Sequence, residues 1–176
     1  AGRMKFKRKI AAIAAAALLL MPGARCWAAE AECSAAAAVV MEASTRRVLL
    51  EKHGTDRLSM ASTTKIMTAL LALESERLDE PVTVTDAVTR TEGSSIYLKP
   101  GDRLTLRSLV VGLMLESGND AALAIAITLD GSEAAFVARM NRRAAELGMT
   151  GTHFVTASGL DDDAHYTTAR DMALLG

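Results

Sequence analysis

Twice along this chain apolar residues recur at the i, i+3, i+4, i+7 spacing that a helix with one buried face satisfies. Ile66, Ala69, Leu70 and Leu73 do so within residues 61–75, where Ser59 is the expected cap. Leu106, Leu109, Val110, Leu113 and Met114 do so again up to Ser117. Both stripes need a core to cover them, and 176 residues that are 50% apolar are enough for one domain to build it. Further helices are expected over residues 121–129 and 132–147, and another begins near Thr168, where Thr168-x-x-Asp171 reads as a cap. Val39 to Glu42 and Val48 to Lys52 flank Ala43-Ser44-Thr45-Arg46-Arg47, which predicts a β-hairpin. Pro81 to Thr85 reads as a short strand, and Arg90 to Asp102, with Gly93, Pro100 and Gly101, as a structured loop.

The start of the chain stands apart from this domain. Lys5, Lys7, Arg8 and Lys9 precede an unbroken apolar run of 12 residues from Ile10 to Met21, followed by Pro22-Gly23 and the small residues near Cys26, Ala28 and Ala29. A membrane span needs about 18 apolar residues, so this pattern predicts a cleavable export signal over residues 1–28, with Ala1 to Arg3 upstream of its methionine. Residues 29–35, in an Ala-rich stretch, read as a flexible lead-in, and residues 36–176 as the folded domain. Without residues 1–28 the chain carries 14 basic and 21 acidic residues, a net charge of −7. That balance argues against nucleic acid or an anionic membrane surface as a partner. Cys33 is the one cysteine after the signal, so no intramolecular disulfide is expected. His53, His153 and His165 are far apart and no Cys-x-x-Cys or His-Glu-x-x-His occurs, which argues against a metal site. His165 reads as a surface or loop residue. Asp161-Asp162-Asp163 reads as a solvated acidic turn, and Arg139, Arg142 and Arg143 as a solvated basic helix edge.

The candidate chemistry lies at Ser62-Thr63-Thr64-Lys65. Three residues of α-helix advance by about 300° and 4.5 Å, so a hydroxyl and an amine at this spacing stand one above the other and can share a proton. Both extend the apolar stripe, which would desolvate the Lys65 ammonium and favour the neutral amine that acts as a base. Near a helix start, the Ser62 N–H lacks an intrahelical acceptor and is free to donate to an oxyanion. Ser-x-x-Lys alone also fits an ordinary capped helix. Ser117-Gly118-Asn119, 52 residues after Lys65, strengthens the functional reading. Leu106, Val110, Leu113 and Ser117 fall on one helical face, which would turn Ser117 toward the core.

With its surroundings, Ala61-Ser62-Thr63-Thr64-Lys65-Ile66-Met67-Thr68-Ala69 resembles the first motif of the low-molecular-mass penicillin-binding proteins, the serine D-alanyl-D-alanine carboxypeptidases of peptidase family S11. Ser117-Gly118-Asn119-Asp120-Ala121-Ala122 resembles the second. Glu92 to Ser95, Leu98 to Leu109, Met140-Asn141, Leu147 to Met149, and Gly159-Leu160 through His165 to Ala169 are similar as well, so the resemblance covers about residues 36 to 176. Thr156 departs from it, standing where an asparagine is expected before the Gly-Leu pair.

The resemblance implies an α/β (α+β) fold, an antiparallel sheet flanked by helices with a helical subdomain. It assigns Ser62 as nucleophile on the penultimate D-alanine carbonyl, Lys65 as proton acceptor, Ser117 as proton relay and Asn119 as ligand of the stem-peptide amide. It implies a peptidoglycan stem peptide as substrate, β-lactams as covalent inhibitors, no metal or organic cofactor, and an exported location with membrane contact only through a C-terminal anchor. The family's third motif, Lys-Thr-Gly or Lys-Ser-Gly on a strand, is expected beyond Gly176, so the 176-residue chain alone is expected to be inactive, to expose an unpaired sheet edge and to fold poorly. A class A β-lactamase is the nearest alternative, but its second motif is Ser-Asp-Asn and Gly118 departs from it. A non-catalytic penicillin-sensing or wall-binding module is the alternative of another class. There is no Gly-x-Ser-x-Gly elbow to suggest a histidine-assisted serine hydrolase.

Overall fold

A computed structural model describes residues 33–176. The expected export signal lies outside the described residues, as does most of the lead-in. Strands β1 (Ala38–Met41) and β2 (Val48–Lys52) form the expected antiparallel hairpin, with a register irregularity between Val40 and Met41. A second antiparallel pair joins β3 (Pro81–Thr83) to β4 (Arg103–Thr105) and brackets the Arg90 to Asp102 loop; β4 was not evident in the sequence. Pro81 begins its strand, where its missing N–H interrupts no interior ladder. The sheet expected from the resemblance is thus present, among the described residues, as two separate two-stranded pairs.

The described residues form five α-helices: α1 (Lys65–Glu74), α2 (Leu106–Leu115), α3 (Asn119–Asp130), α4 (Glu133–Leu147) and α5 (Ala169–Leu175). Thr105, Ser132 and Thr168 cap α2, α4 and α5 by accepting from Ser108, Ala135 and Asp171 N–H, so orphan donors at each start are satisfied. Helix α3 lies at the centre, packed against α1, α2 and α4. Its Ala121, Ala122, Ala124 and Ala126 let neighbours approach closely, and Ile125 fills the space between them beside Leu106, Leu109, Leu113, Phe136 and Met140. Helix α5 packs on β1 and is tied to the hairpin by Arg170, which donates to Gly54 O and pairs with Glu51.

Two helical expectations are corrected. Ser59 caps nothing: a 3-10 turn (Ala61–Thr64) leads into α1, its cap position is Met60, and no side chain caps it. Of the stripe expected on α1, Ala69 is buried and Leu70 partly so, but its two ends are not. Ile66 is 36% and Leu73 52% exposed, while Met67, Thr68, Leu71 and Ala72 are buried. Thr68 reads as polar in the sequence, yet its hydroxyl donates to Ala157 O at 2.7 Å and so enters the core at little cost.

Arg139 and Arg143 are not a solvated edge. Arg139 Nε lies 3.0 Å from Asp130 Oδ2, and Arg143 spans Glu74 on α1 and Glu146, at 2.6 and 3.1 Å. Only Arg142 of the three is exposed.

Candidate active site

The 3-10 turn sets the geometry of Ser62 and Lys65. At about three residues per turn, side chains at i and i+3 eclipse, which aligns the pair better than the α-helix expected there. Lys65 Nζ lies 3.0 Å from Ser62 Oγ and donates to Ser158 O at 2.8 Å. Lys65 is only 3% exposed and has no carboxylate partner among the described residues. Burial alone holds its amine below the ordinary lysine value. Ser62 itself is exposed, and its N–H has no acceptor among the described residues. Ala61, just before it, is held at a φ of 43°, a conformation costly for a residue with a Cβ and typical of strained site backbones.

Two clefts meet at Ser62. One, of about 330 Å³, is lined by Ser62, Lys65, Ile66, Leu113, Met114 and Ser117. The other, of about 230 Å³, is lined by Ser62, Gly93, Asn119, Ser158, Gly159 and Asp161 among others. Ser62, Lys65 and Ser117 therefore border the first cleft, and Ser62 and Asn119 the second. Ser117 reaches it by a different route from the one expected. Helix α2 ends at Leu115, and Ser117 stands in the turn before α3 with a φ of 56°. The turn, not the helical face, aims its side chain.

Asn119 opens α3 and is buried. Its N–H donates to Ser94 O at 2.7 Å and its Nδ2 to Glu92 O at 2.6 Å, so half of its amide is committed to holding the 92–95 loop. The neighbouring Asp120 escaped the sequence reading, although it lies inside the quoted second motif. It is 2% exposed and accepts from Ser95 Oγ and from the N–H groups of Ile96, Leu98 and Ala121, at 2.7 to 3.0 Å. Burial pushes its carboxyl up, and those four donors outweigh that and leave it below the usual carboxylate range.

Because the folded-state pKa is depressed, Asp120 contributes stability above the ordinary carboxylate pKa, and that contribution is lost as pH falls through the lowered value. Asp120→Ala, which orphans several of these donors, is expected to cost roughly 3 kcal/mol at neutral pH. Urea melts as a function of pH check this: the variant should show a smaller acid-side loss than the wild type, and equal midpoints at neutral pH would refute it.

His165 corrects the expectation of a surface residue. It is in a loop but only 3% exposed, with Nε2 2.7 Å from Thr64 Oγ1 and Nδ1 accepting from Val155 N–H at 3.0 Å. The Asp161 to Asp163 turn is exposed, as expected. Thr156, the departure from the family pattern, uses its hydroxyl to accept from Gly159 N–H at 3.0 Å and so closes the turn locally.

Comparison with known proteins follows the same line. The D-alanyl-D-alanine carboxypeptidase family profile matches residues 25–176. The D-alanyl-D-alanine carboxypeptidase DacF of Bacillus subtilis is 39% identical over 146 residues, covering 80% of this chain and 38% of the relative. DacC of Escherichia coli, of the same description, is 39% identical over 150 residues, covering 78% and 37%. The crystal structure of the carboxypeptidase DacD from Francisella tularensis superposes with a TM-score of 0.79 at 38% identity, over 84% of this chain and 37% of that one. A D-alanyl-D-alanine carboxypeptidase structure from Mycobacterium tuberculosis gives 0.76 at 37% identity, over 80% and 54%. The chain spans about two fifths of the length of these curated relatives. Its mixed α/β fold, with small antiparallel sheets flanked by helices, is theirs, and the chain belongs to peptidase family S11, the D-alanyl-D-alanine carboxypeptidases.

Proposed function

We propose that the protein is an exported serine D-alanyl-D-alanine carboxypeptidase that removes the terminal D-alanine of peptidoglycan stem peptides and is acylated by penicillin. The observation that carries this is the buried Lys65 amine, with no carboxylate partner among the described residues, 3.0 Å from the exposed Ser62 hydroxyl. A neutral amine donates one N–H to Ser158 O and turns its lone pair to the Ser62 O–H. As Ser62 Oγ attacks the carbonyl of the penultimate D-alanine, its proton passes to Lys65. The Ser62 N–H donates to the oxyanion, worth about 3 kcal/mol for one such donor. Ser117 relays a proton to the departing D-alanine amine, Asn119 holds the substrate amide, and water then hydrolyses the ester.

No metal or organic cofactor enters this scheme. The scheme also needs a second oxyanion donor and an anchor for the substrate carboxylate, roles that the family resemblance gives to a Lys-Thr-Gly-like strand. Residues 1–28 direct export, placing the protein outside the cytoplasmic membrane.

The test combines two measurements on the intact protein. Labelled penicillin should form one adduct, on the peptide containing Ser62, and a pentapeptide ending in D-Ala-D-Ala should release D-alanine. An adduct elsewhere, or none, sinks the mechanism. An adduct at Ser62 without D-alanine release identifies a penicillin sensor, and rapid hydrolysis of the adduct identifies a β-lactamase.

A further inference from the structure

The loop from Val155 to Gly159 supplies Ser158 O to Lys65, and four contacts fasten it to the nucleophile's turn and α1. Thr68 Oγ1 donates to Ala157 O, and Lys65 Nζ donates to Ser158 O. Gly159 packs against the Ala61 carbonyl. The fourth is His165, whose ring lies between Thr64 Oγ1 at 2.7 Å and the N–H groups of Val155 and Thr156 at 3.0 and 3.4 Å. Since backbone N–H groups face Nδ1, the neutral ring carries its proton on Nε2 and donates it to Thr64, the residue next to Lys65. The Phe154 ring meets the imidazole edge-on at 5.9 Å and fixes its plane.

We propose that His165, as the neutral Nε2–H tautomer, is a positioning residue for acyl transfer: it clamps the 155–159 loop to the Ser62 turn so that Ser158 O keeps the Lys65 amine aimed at Ser62. This rests on the acyl-transfer reading above. Protonation at Nδ1 sets a donor against the Val155 N–H, and that opposition opens the loop and withdraws Ser158 O. Burial holds the imidazole below its ordinary value; Asp162 opposes that, His153 reinforces it and Asp161 opposes it. Asp163 and Arg57, which lies over the Tyr166 ring, line the same cleft as His165. The clamped form is therefore the one present at neutral pH, and it is lost as pH falls through the lowered imidazole pKa.

The experiment measures the acylation rate of the intact protein by fluorescent penicillin over the whole pH range in which it stays folded, with saturation used to separate the rate constant from binding. Wild-type log rate is expected to rise with a slope of about 2 below the imidazole pKa, where both Lys65 and His165 must lose protons, and about 1 between it and the lysine pKa. His165→Gln, which retains a donor toward Thr64 and does not titrate, should show a slope of no more than about 1 at any pH and stay within about tenfold of wild type near pH 8. His165→Ala should lose about 100-fold in the rate constant, with penicillin affinity little changed. If His165→Ala fails to melt cooperatively, the Gln variant and the wild-type slope decide. A slope of 2 retained in His165→Gln, or a folded His165→Ala acylating at the wild-type rate, overturns the proposal alone. Absence of any Ser62 adduct in the wild type overturns the acyl-transfer reading with it.

Discussion

Lys65→Arg is expected to slow acylation of Ser62 on the order of 10³-fold while the protein still folds. The substitution keeps a cation and removes the base, because a guanidinium does not deprotonate in a protein. If Lys65 served only as a charge, the rate would survive. In the wild type, burial lowers the lysine pKa, so the rate should rise with pH along a limb whose midpoint lies below the ordinary value of 10.5. The same depression bears on stability. Between the lowered folded pKa and the unfolded value the unfolded chain binds more protons, so stability rises with pH through that window and carries the full penalty below it. Lys65→Met removes the titration and should abolish this rise. Acylation kinetics and urea melts over one pH series read both effects. An Arg variant as fast as wild type would remove the proton-transfer role from Lys65.

Gly159→Ala is expected to be the most disruptive single-methyl change in the described residues. Gly159 has a φ of 88°, and a Cβ there would fall inside the Ala61 carbonyl oxygen, 2.6 Å from the Ala61 carbonyl carbon and 2.8 Å from Thr64 Oγ1. Those are backbone and buried atoms, which cannot swing aside as a flexible side chain can. Backbone strain and overpacking together should cost roughly 3–5 kcal/mol. Where the protein survives, the Ser62 turn is displaced, and acylation should fall by about 100-fold. Gly148→Ala is the control, since Gly148 has a φ of 85° at the end of α4 with nothing within 4 Å of its added methyl. It should lose only about 1 kcal/mol. Equal melts and equal acylation rates for the two variants would show that the contact with Ala61 does not hold the nucleophile.

The hairpin, the helices after residue 105 and the cap at Thr168 were legible because they depend on local rules: alternation, 3.6-residue periodicity and short-range side-chain hydrogen bonds. Helix α4 shows this well, since Phe136, Met140 and Ala144 bury one stripe that its own spacing announces. Helix α1 shows where such rules end. Its apolar pattern favoured Ile66 and Leu73, but burial went to the face carrying Lys65 and Thr68, whose polar atoms find Ser158 O and Ala157 O 93 and 89 residues away. Periodicity counts polarity, and it cannot see an acceptor supplied by a distant loop.

The sequence by itself determined the Ser62 to Lys65 spacing, the Ser117 to Asn119 motif and hence the family. Covalent order alone puts a hydroxyl and an amine one turn apart. Only the tertiary structure decided that the amine is buried with no counter-ion among the described residues, that Ser117 arrives through a left-handed turn, and that Asp120 and His165 fasten loops around the clefts. Those outcomes depend on desolvation and on hydrogen bonds between residues far apart in the chain, and both exist only once the chain has closed on itself.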